Sequence, residues 1–284
     1  MTIQTIGVVG CGLMGSGIVE VSARSGFNVI VGELNQELLD RGLSLIAKSF
    51  SKARERGKIS AEEAEAAVAR ITGTTEPAGF TSADLVIEAV TEDLALKQRI
   101  FRRLDEVLRP EVIIASNTSS ISIATLAAAT KRPDKVLGMH FFNPVPVMQL
   151  LELVRGILTS DETLSTAQEI GQRLGKTTVV ARDSPGFIVN RLLIPYILDA
   201  ISLYEAGLAT KEDIDNAVKL GLAHPMGPLT LADYVGLDTT LAVANVLFEE
   251  YGEPRFKAPP LLRQMVSAGL MGRKSGRGFY DWSR

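Results

Sequence analysis

The chain has a single cysteine, Cys11, among its 284 residues. No intrachain disulfide is therefore possible and no thiolate metal cluster can be built, which fits a reducing compartment and points to the cytoplasm. An excess of charge of one sign is also missing. The 30 basic and 33 acidic side chains leave a net charge of -3, which argues against a general nucleic-acid or membrane-surface partner. No basic residue precedes Arg24, so the N-terminus lacks the charge pattern of a signal or transit peptide. Nor is there an unbroken apolar run of membrane-spanning length: the region Leu192 to Leu208 is interrupted by Pro195, Asp199 and Glu205. No metal site is read from these residues. What is present, 46% hydrophobic and 22% charged side chains, is the composition of a soluble globular protein. Two domains are expected, because single cores stop growing beyond roughly 250 residues.

Thr5 to Val9 reads as a short buried strand, followed at once by Gly10-Cys11-Gly12-Leu13-Met14-Gly15 and a helical pattern that runs to Gly26. This is G-x-G-x-x-G between a strand and a helix, the context that dinucleotide binding requires. The first glycine permits a tight turn, the second lets backbone approach a pyrophosphate, and the third lets helix and strand pack closely. The helix N-terminus adds N–H groups and the positive end of its dipole. Gly10, Gly12, Leu13, Met14 and Gly15 are thus cofactor candidates, and Cys11 between them reads as a small filler rather than a nucleophile. A second strand, Phe27 to Gly32, ends at Glu33, eighteen positions after Gly15. An acid at about that distance accepts hydrogen bonds from the adenosine ribose and repels a 2′-phosphate, which favours NAD over NADP. No arginine stands next to Glu33 to receive such a phosphate.

Two polar helices follow as an inserted pair, Gln36 to Lys58 and Ser60 to Arg70. On the first, Lys48, Lys52 and Arg56 recur at i, i+4 and i+8 with Ser51 beside Lys52; such a stripe is either a solvated face or a contact for an anionic ligand. Asp84 to Val90 and Val112 to Ala115 are apolar enough to be strands covered on both faces. Glu92 and Asp93 follow the first and open a helix carrying Lys97. Ser116-Asn117-Thr118-Ser119-Ser120 follows the second, as a cap for the helix starting near Ser122, as a ligand-contacting loop, or as both.

Val136 to Met139 reads as a strand ending at His140, and the strand Leu150 to Val154 carries Glu152 twelve positions on. A histidine at a strand end, with a carboxylate able to return to it, is how a general base is held in one tautomer. The bland alternative is a core histidine satisfied by a carbonyl. A helix from about Glu162 to Leu174 and a strand, Thr177 to Ala181, end the alternation. Ser184 and Pro185 then read as the N-cap and first residue of a helix. Helical patterns alone follow, at about 186–207, 210–220, 227–235, 238–251 and 259–268. His224, in the turn H-P-M-G-P, reads as structural. The expected fold is α/β: a Rossmann-type doubly wound, mostly parallel sheet with an inserted helical pair over 1–184, then an all-α domain over 185–284.

Seven segments, G-C-G-L-M-G-S-G, L-V-I-E-A-V, A-S-N-T-S-S, H-F-F-N-P-V-P-V-M, S-P-G-F-I-V-N-R, H-P-M-G-P and R-K-S-G-R-G-F-Y, occur in this order along nearly the whole chain. Together they resemble the 3-hydroxyacyl-CoA dehydrogenase family, particularly its short bacterial 3-hydroxybutyryl-CoA dehydrogenases. The resemblance implies reversible oxidation of an (S)-3-hydroxyacyl-CoA to a 3-oxoacyl-CoA by hydride transfer to NAD, in fatty-acid or butanoate metabolism, by a single-function enzyme. It implies that His140 is the catalytic acid/base with Glu152 as its partner, and that Ser119 and Asn190 touch the reacting end of the substrate, with Asn143 completing the site. Ser51 and Lys52 fall where the family contacts coenzyme A, and Arg56 stands where close relatives can have lysine. Glu92, Lys97 and Asn117 match positions on the cofactor side, and Glu33 replaces the more common aspartate. A homodimer formed through the helical domain is also implied. Two rivals are set against this reading: a dehydrogenase of free 3-hydroxy acids, which generally relies on a lysine base, and a non-catalytic dinucleotide-binding protein on the same fold.

Overall fold

The computed structural model describes residues 3–283. Between Ser184 and Pro185 the chain divides into two compact units. The first is built on one eight-stranded sheet. In chain order its elements are β1 (Thr5–Val9), α1 (Leu13–Arg24), β2 (Asn28–Gly32), α2 (Gln36–Glu55), α3 (Ala61–Val68), β3 (Ile71–Thr74), β4 (Leu85–Glu88), α4 (Leu94–Val107), β5 (Ile113–Ser116), α5 (Ile123–Ala127), β6 (Val136–Phe141), β7 (Leu150–Arg155), α6 (Asp161–Arg173) and β8 (Thr177–Arg182).

The strand order is β3-β2-β1-β4-β5-β6-β7-β8. Every neighbouring pair is parallel except β6 and β7. The order reverses between β1 and β4, which opens the crevice where doubly wound sheets bind ligands. Leu85–Glu88 and Ile113–Ser116 are buried along their whole length, as central parallel strands covered on both faces must be. Helices are started by side chains that satisfy otherwise orphaned N–H groups: Asn35 accepts from Leu38 at the head of α2, and Ser60 and Glu63 form a capping box on α3.

Three differences from the sequence reading have a clear physical cause. Asp84 lies outside β4, its carboxylate accepting from the N–H groups of Gln4 (2.9 Å) and Thr5 (3.0 Å) and from Arg109 (2.8 Å). Burial works to raise this carboxyl, but the two N–H groups and Arg109 outweigh it and hold it below the usual carboxylate range. The edge strand β3 was not foreseen. Its sequence I-T-G-T has no buried residue, so its conformation is set by pairing with β2, not by hydrophobic alternation. The third difference opens the second unit: the helix expected from Pro185 starts at Val189, because Gly186 (φ 75°) and Phe187 (φ 48°) take left-handed conformations that a helix excludes.

The second unit is helical: α7 (Val189–Glu205), α8 (Lys211–Gly221), α9 (Pro228–Val235), α10 (Leu237–Tyr251) and α11 (Pro260–Ser267). Ile197, Ile201, Leu229, Leu247, Phe256 and Leu262 are fully buried in its core. Asp233, itself fully buried, holds the C-terminal segment by accepting from Phe279 N–H, Tyr280 N–H and Trp282 Nε1–H, each at 2.9 Å. Among the described residues no single helix is long and apolar enough to cross a membrane.

Trp282 is the only tryptophan, so its emission reports on this clamp. Asp233→Ala removes three charge-assisted bonds and is expected to red-shift Trp282 fluorescence and to lower unfolding stability by at least about 2 kcal/mol. An unchanged spectrum and unfolding midpoint would refute the clamp.

Candidate active site

The loop from β1 to α1 turns at Gly10, whose φ of 92° suits glycine. A Cβ on Gly15 would strike the carbonyl oxygen of Gly10, whereas a Cβ on Gly12 would meet no protein atom within 4 Å. Gly15 is therefore required for packing of helix on strand. Gly12, exposed at the N-cap of α1, borders space that a pyrophosphate can fill, next to a helix start with no side-chain cap. Leu13 is 70% exposed beside it, and Met14 is half-buried. Glu33 reaches this loop from the end of β2: its carboxylate accepts from Cys11 N–H (2.5 Å) and Leu34 N–H (3.2 Å). Cys11 is buried, and its sulfur lies where a Cβ on Gly42 of α2 would be. Burial first, and then the Glu33 carboxylate, push its thiol up to about 12. It is a packing residue, as its place between two glycines suggested.

On the other side of the crevice a polar network joins the ends of β4 and β5. Lys97, on the first turn of α4, lies 2.7 Å from Glu88 and 3.4 Å from Glu92. Glu88 also accepts from Ser116 Oγ at 2.6 Å. Glu92 organises the serine loop, accepting from Thr118 Oγ1 (2.5 Å), Ser119 N–H (3.0 Å), Ser120 N–H (3.1 Å) and Ser120 Oγ (3.0 Å). The Ser119 hydroxyl lies 3.4 Å from the same oxygen. These serines do not cap α5. That task falls to Asp183, which accepts from Ser122 Oγ (2.8 Å), Ile123 N–H (3.0 Å) and Ala124 N–H (2.8 Å). The serine segment is thus presented at the crevice. Asn117 ties it to the next strand, its Oδ1 accepting from Phe141 N–H at 2.9 Å.

There β6 brings in His140. The antiparallel pairing of β6 with β7 sets His140 directly opposite Glu152, and Nδ1 lies 2.6 Å from Glu152 Oε2. His140 is 6% exposed and Glu152 wholly buried. A carboxylate can only accept, so Nδ1 carries the hydrogen and the imidazole is held in one tautomer. The Phe142 ring packs at 4.6 Å from the imidazole. Beyond it, Asn143 is exposed and precedes a cis bond to Pro144. The loop onward is anchored by Lys176, whose ammonium donates to the carbonyls of Val145 (2.5 Å) and Met148 (2.8 Å). Burial, helped by Arg24, holds the pKa of Lys176 below the ordinary lysine value.

The sheet therefore brings together His140 with Glu152, and Ser119 with Glu92 and Lys97. Glu33 lies with Gly10, Gly12, Leu13, Met14 and Gly15. Ser51, Lys52 and Arg56 are exposed on α2 and at its C-cap, with Lys48 one turn earlier. Asn190, on the first turn of α7, is half-buried in the second unit. His224 is exposed, with Nδ1 3.3 Å from the Tyr196 hydroxyl. Three residues that shape the site were missed by sequence reading: Glu88, Asp183 and Lys176. Glu88 had a signal, since a carboxylate inside the apolar run L-V-I-E-A-V must find a buried partner.

A glycine-loop strand–helix unit with an acid on the next strand, at the switch point of a doubly wound sheet, is the arrangement of a dinucleotide-binding domain. Comparison with known proteins narrows this. Residues 5–184 match the family described as 3-hydroxyacyl-CoA dehydrogenase, NAD binding domain, and residues 186–282 its C-terminal domain. A 3-hydroxybutyryl-CoA dehydrogenase of Mycobacterium tuberculosis is 51% identical over 99% of both chains. The crystal structure of M. tuberculosis FadB2 superposes with a TM-score of 0.97, at 51% identity over 99% of both chains. That of (S)-3-hydroxybutyryl-CoA dehydrogenase PaaH1 from Ralstonia eutropha gives 0.96, at 46% identity over 100% of both. The chain belongs to the 3-hydroxyacyl-CoA dehydrogenase family.

The two glycines separate packing from binding. Gly15→Ala is expected to lower the thermal midpoint. Gly12→Ala should leave the midpoint in place and weaken NADH binding, followed by the nucleotide's fluorescence, at least about tenfold. Equal effects of both on stability would contradict the cradle.

Proposed function

We propose that the chain catalyses the reversible NAD-dependent oxidation of (S)-3-hydroxyacyl-CoA to 3-oxoacyl-CoA, with 3-hydroxybutyryl-CoA and acetoacetyl-CoA as the pair it serves, in fatty-acid or butanoate metabolism in the cytoplasm. The observation that carries this reading is the buried 2.6 Å contact of His140 with Glu152 at the crevice of a dinucleotide-binding sheet. It also weighs against the two rivals: a free-hydroxy-acid dehydrogenase would rest on a lysine base, and a non-catalytic binder has no use for a buried histidine–carboxylate pair.

Bound nicotinamide supplies the acceptor for the hydride that leaves C3. With Nδ1 engaged by Glu152, His140 takes the C3 hydroxyl proton at Nε2, and Glu152 stabilises the imidazolium that results. Ser119 orients the acyl end and donates to the reacting oxygen, with Asn143 completing the site, and a well-placed donor contributes on the order of 10²-fold. The exposed cations Lys52 and Arg56, with Ser51, meet the coenzyme A moiety. Glu33 disfavours a 2′-phosphate, so NAD is used in preference to NADP. Leu192, Leu208, Leu220 and Leu222 are between 62% and 84% exposed on the helical unit, and burying them favours a homodimer.

His140→Ala is expected to retain folding and NADH binding while abolishing NADH-linked reduction of acetoacetyl-CoA; retained turnover would remove His140 from the chemistry. Glu152→Gln should slow the reaction and displace its pH profile. Lys52→Ala should raise KM for acetoacetyl-CoA far more than for NADH, and equal changes would mark the stripe as merely solvated. In the parent protein NADPH should support much slower turnover than NADH, and light scattering should give the mass of two chains.

A further inference from the structure

The network beneath the serine loop has an uneven charge count. Glu88 and Glu92 supply two carboxylates, and within 4 Å of them the one cation among the described residues is Lys97. Glu88 and Lys97 are 0% and 1% exposed, and Glu92 is 37% exposed at the crevice surface. Asp93 stands outside this network: its carboxylate accepts from Leu96 N–H (2.7 Å) at the start of α4 and makes no ion pair with Lys97 among the described residues. Burial acts to raise the Glu92 carboxyl, but the Lys97 ammonium and the hydroxyls of Thr118 and Ser120 outweigh it and hold it below the usual carboxylate range. Glu92 is therefore charged at neutral pH.

The location gives the surplus a task. With Glu33 at the β2 end taking the adenosine ribose, and the pyrophosphate at the start of α1, a dinucleotide that crosses the switch point lays its other half over the ends of β4 and β5. That half carries the nicotinamide, whose oxidised ring bears one positive charge and whose reduced ring bears none. We infer that the Glu88–Lys97–Glu92 network, through its one unbalanced negative charge, stabilises the oxidised dinucleotide relative to the reduced one and so sets the redox balance of the bound cofactor. In this role Glu88 and Lys97 are positioning residues acting through Glu92, and Lys97 keeps the surplus to a single charge. This rests on the cofactor assignment made above and adds to it a preference between the two redox states.

Direct binding to the purified protein tests it, with NADH followed by its own fluorescence and NAD⁺ by competition. Glu92→Gln and Glu88→Gln should each raise the ratio of the NAD⁺ to the NADH dissociation constant at least about fivefold, the scale of one charge acting across a partly screened site. Glu92→Asp, which keeps the charge, should restore the parent ratio. Ser116→Ala, which removes a hydrogen bond and no charge, should move both constants by the same factor. The inference is overturned if Glu92→Gln weakens both dinucleotides equally, or if Glu92→Asp shifts the ratio as far as Glu92→Gln. Should the parent protein bind neither dinucleotide, the cofactor assignment falls and this inference falls with it. Glu92 lies at the surface, so the Gln and Asp variants decide the matter even if Glu88→Gln does not fold.

Discussion

The antiparallel pairing of β7 on β6 is the constraint on which the site depends. Six of the eight strands, β1 to β6, run parallel to one another and β7 and β8 run against them, but parallel neighbours need a long connection. Only an antiparallel return lets a strand eight residues downstream lie beside its predecessor. That return places Glu152 opposite His140 in the ladder. Because side chains alternate faces along a strand, a slip of one residue would point the carboxylate to the other side of the sheet and leave the histidine without it. Leu151 and Leu153, both fully buried, hold the register: the same slip would exchange them with the carboxylate. The histidine–carboxylate geometry and the core packing are thus enforced by one set of backbone hydrogen bonds.

The rest of the crevice follows a similar economy. Asn117 ties the loop after β5 to the last residue of β6, and Glu92 gathers Thr118, Ser119 and Ser120 onto one carboxylate. Lys176 holds the loop after β6 from beneath. Glu92 and Lys176 each group polar atoms of a loop around a charge, and Asn117 does the same with a neutral amide; a fully satisfied network of this kind is rigid and a partly satisfied one is costly. The segments that would meet the cofactor and substrate are therefore held in place by contacts from the protein itself.

Much of this was legible in the sequence. The glycine motif was readable because its three glycines do different physical jobs and because a strand precedes and a helix follows it. His140 and Glu152 were readable as a pair because each sits in an apolar run of strand length. The inserted helical pair was readable as two polar helical patterns, and α2 and α3 form where they lie. What could not be read was set by tertiary pairing. β3 is an edge strand with little burial; the delayed start of α7 depends on two left-handed residues; and the partners of Glu88, nine and twenty-eight positions away, are chosen by sheet topology. The roles of Asp183 as a remote helix cap and of Lys176 as a loop anchor were hidden for the same reason, since each acts on backbone far from it in sequence.

The buried thiol of Cys11 has a practical consequence. It is packed against α2, held up at about 12, and is the only cysteine in the chain. Thiol-directed reagents that require a thiolate find almost none in the native protein at neutral pH. A cysteine introduced at any exposed position would then be the sole reactive one. The natural sequence is in effect already a background for placing a single spectroscopic label, with no need to replace a residue that lines the nucleotide loop.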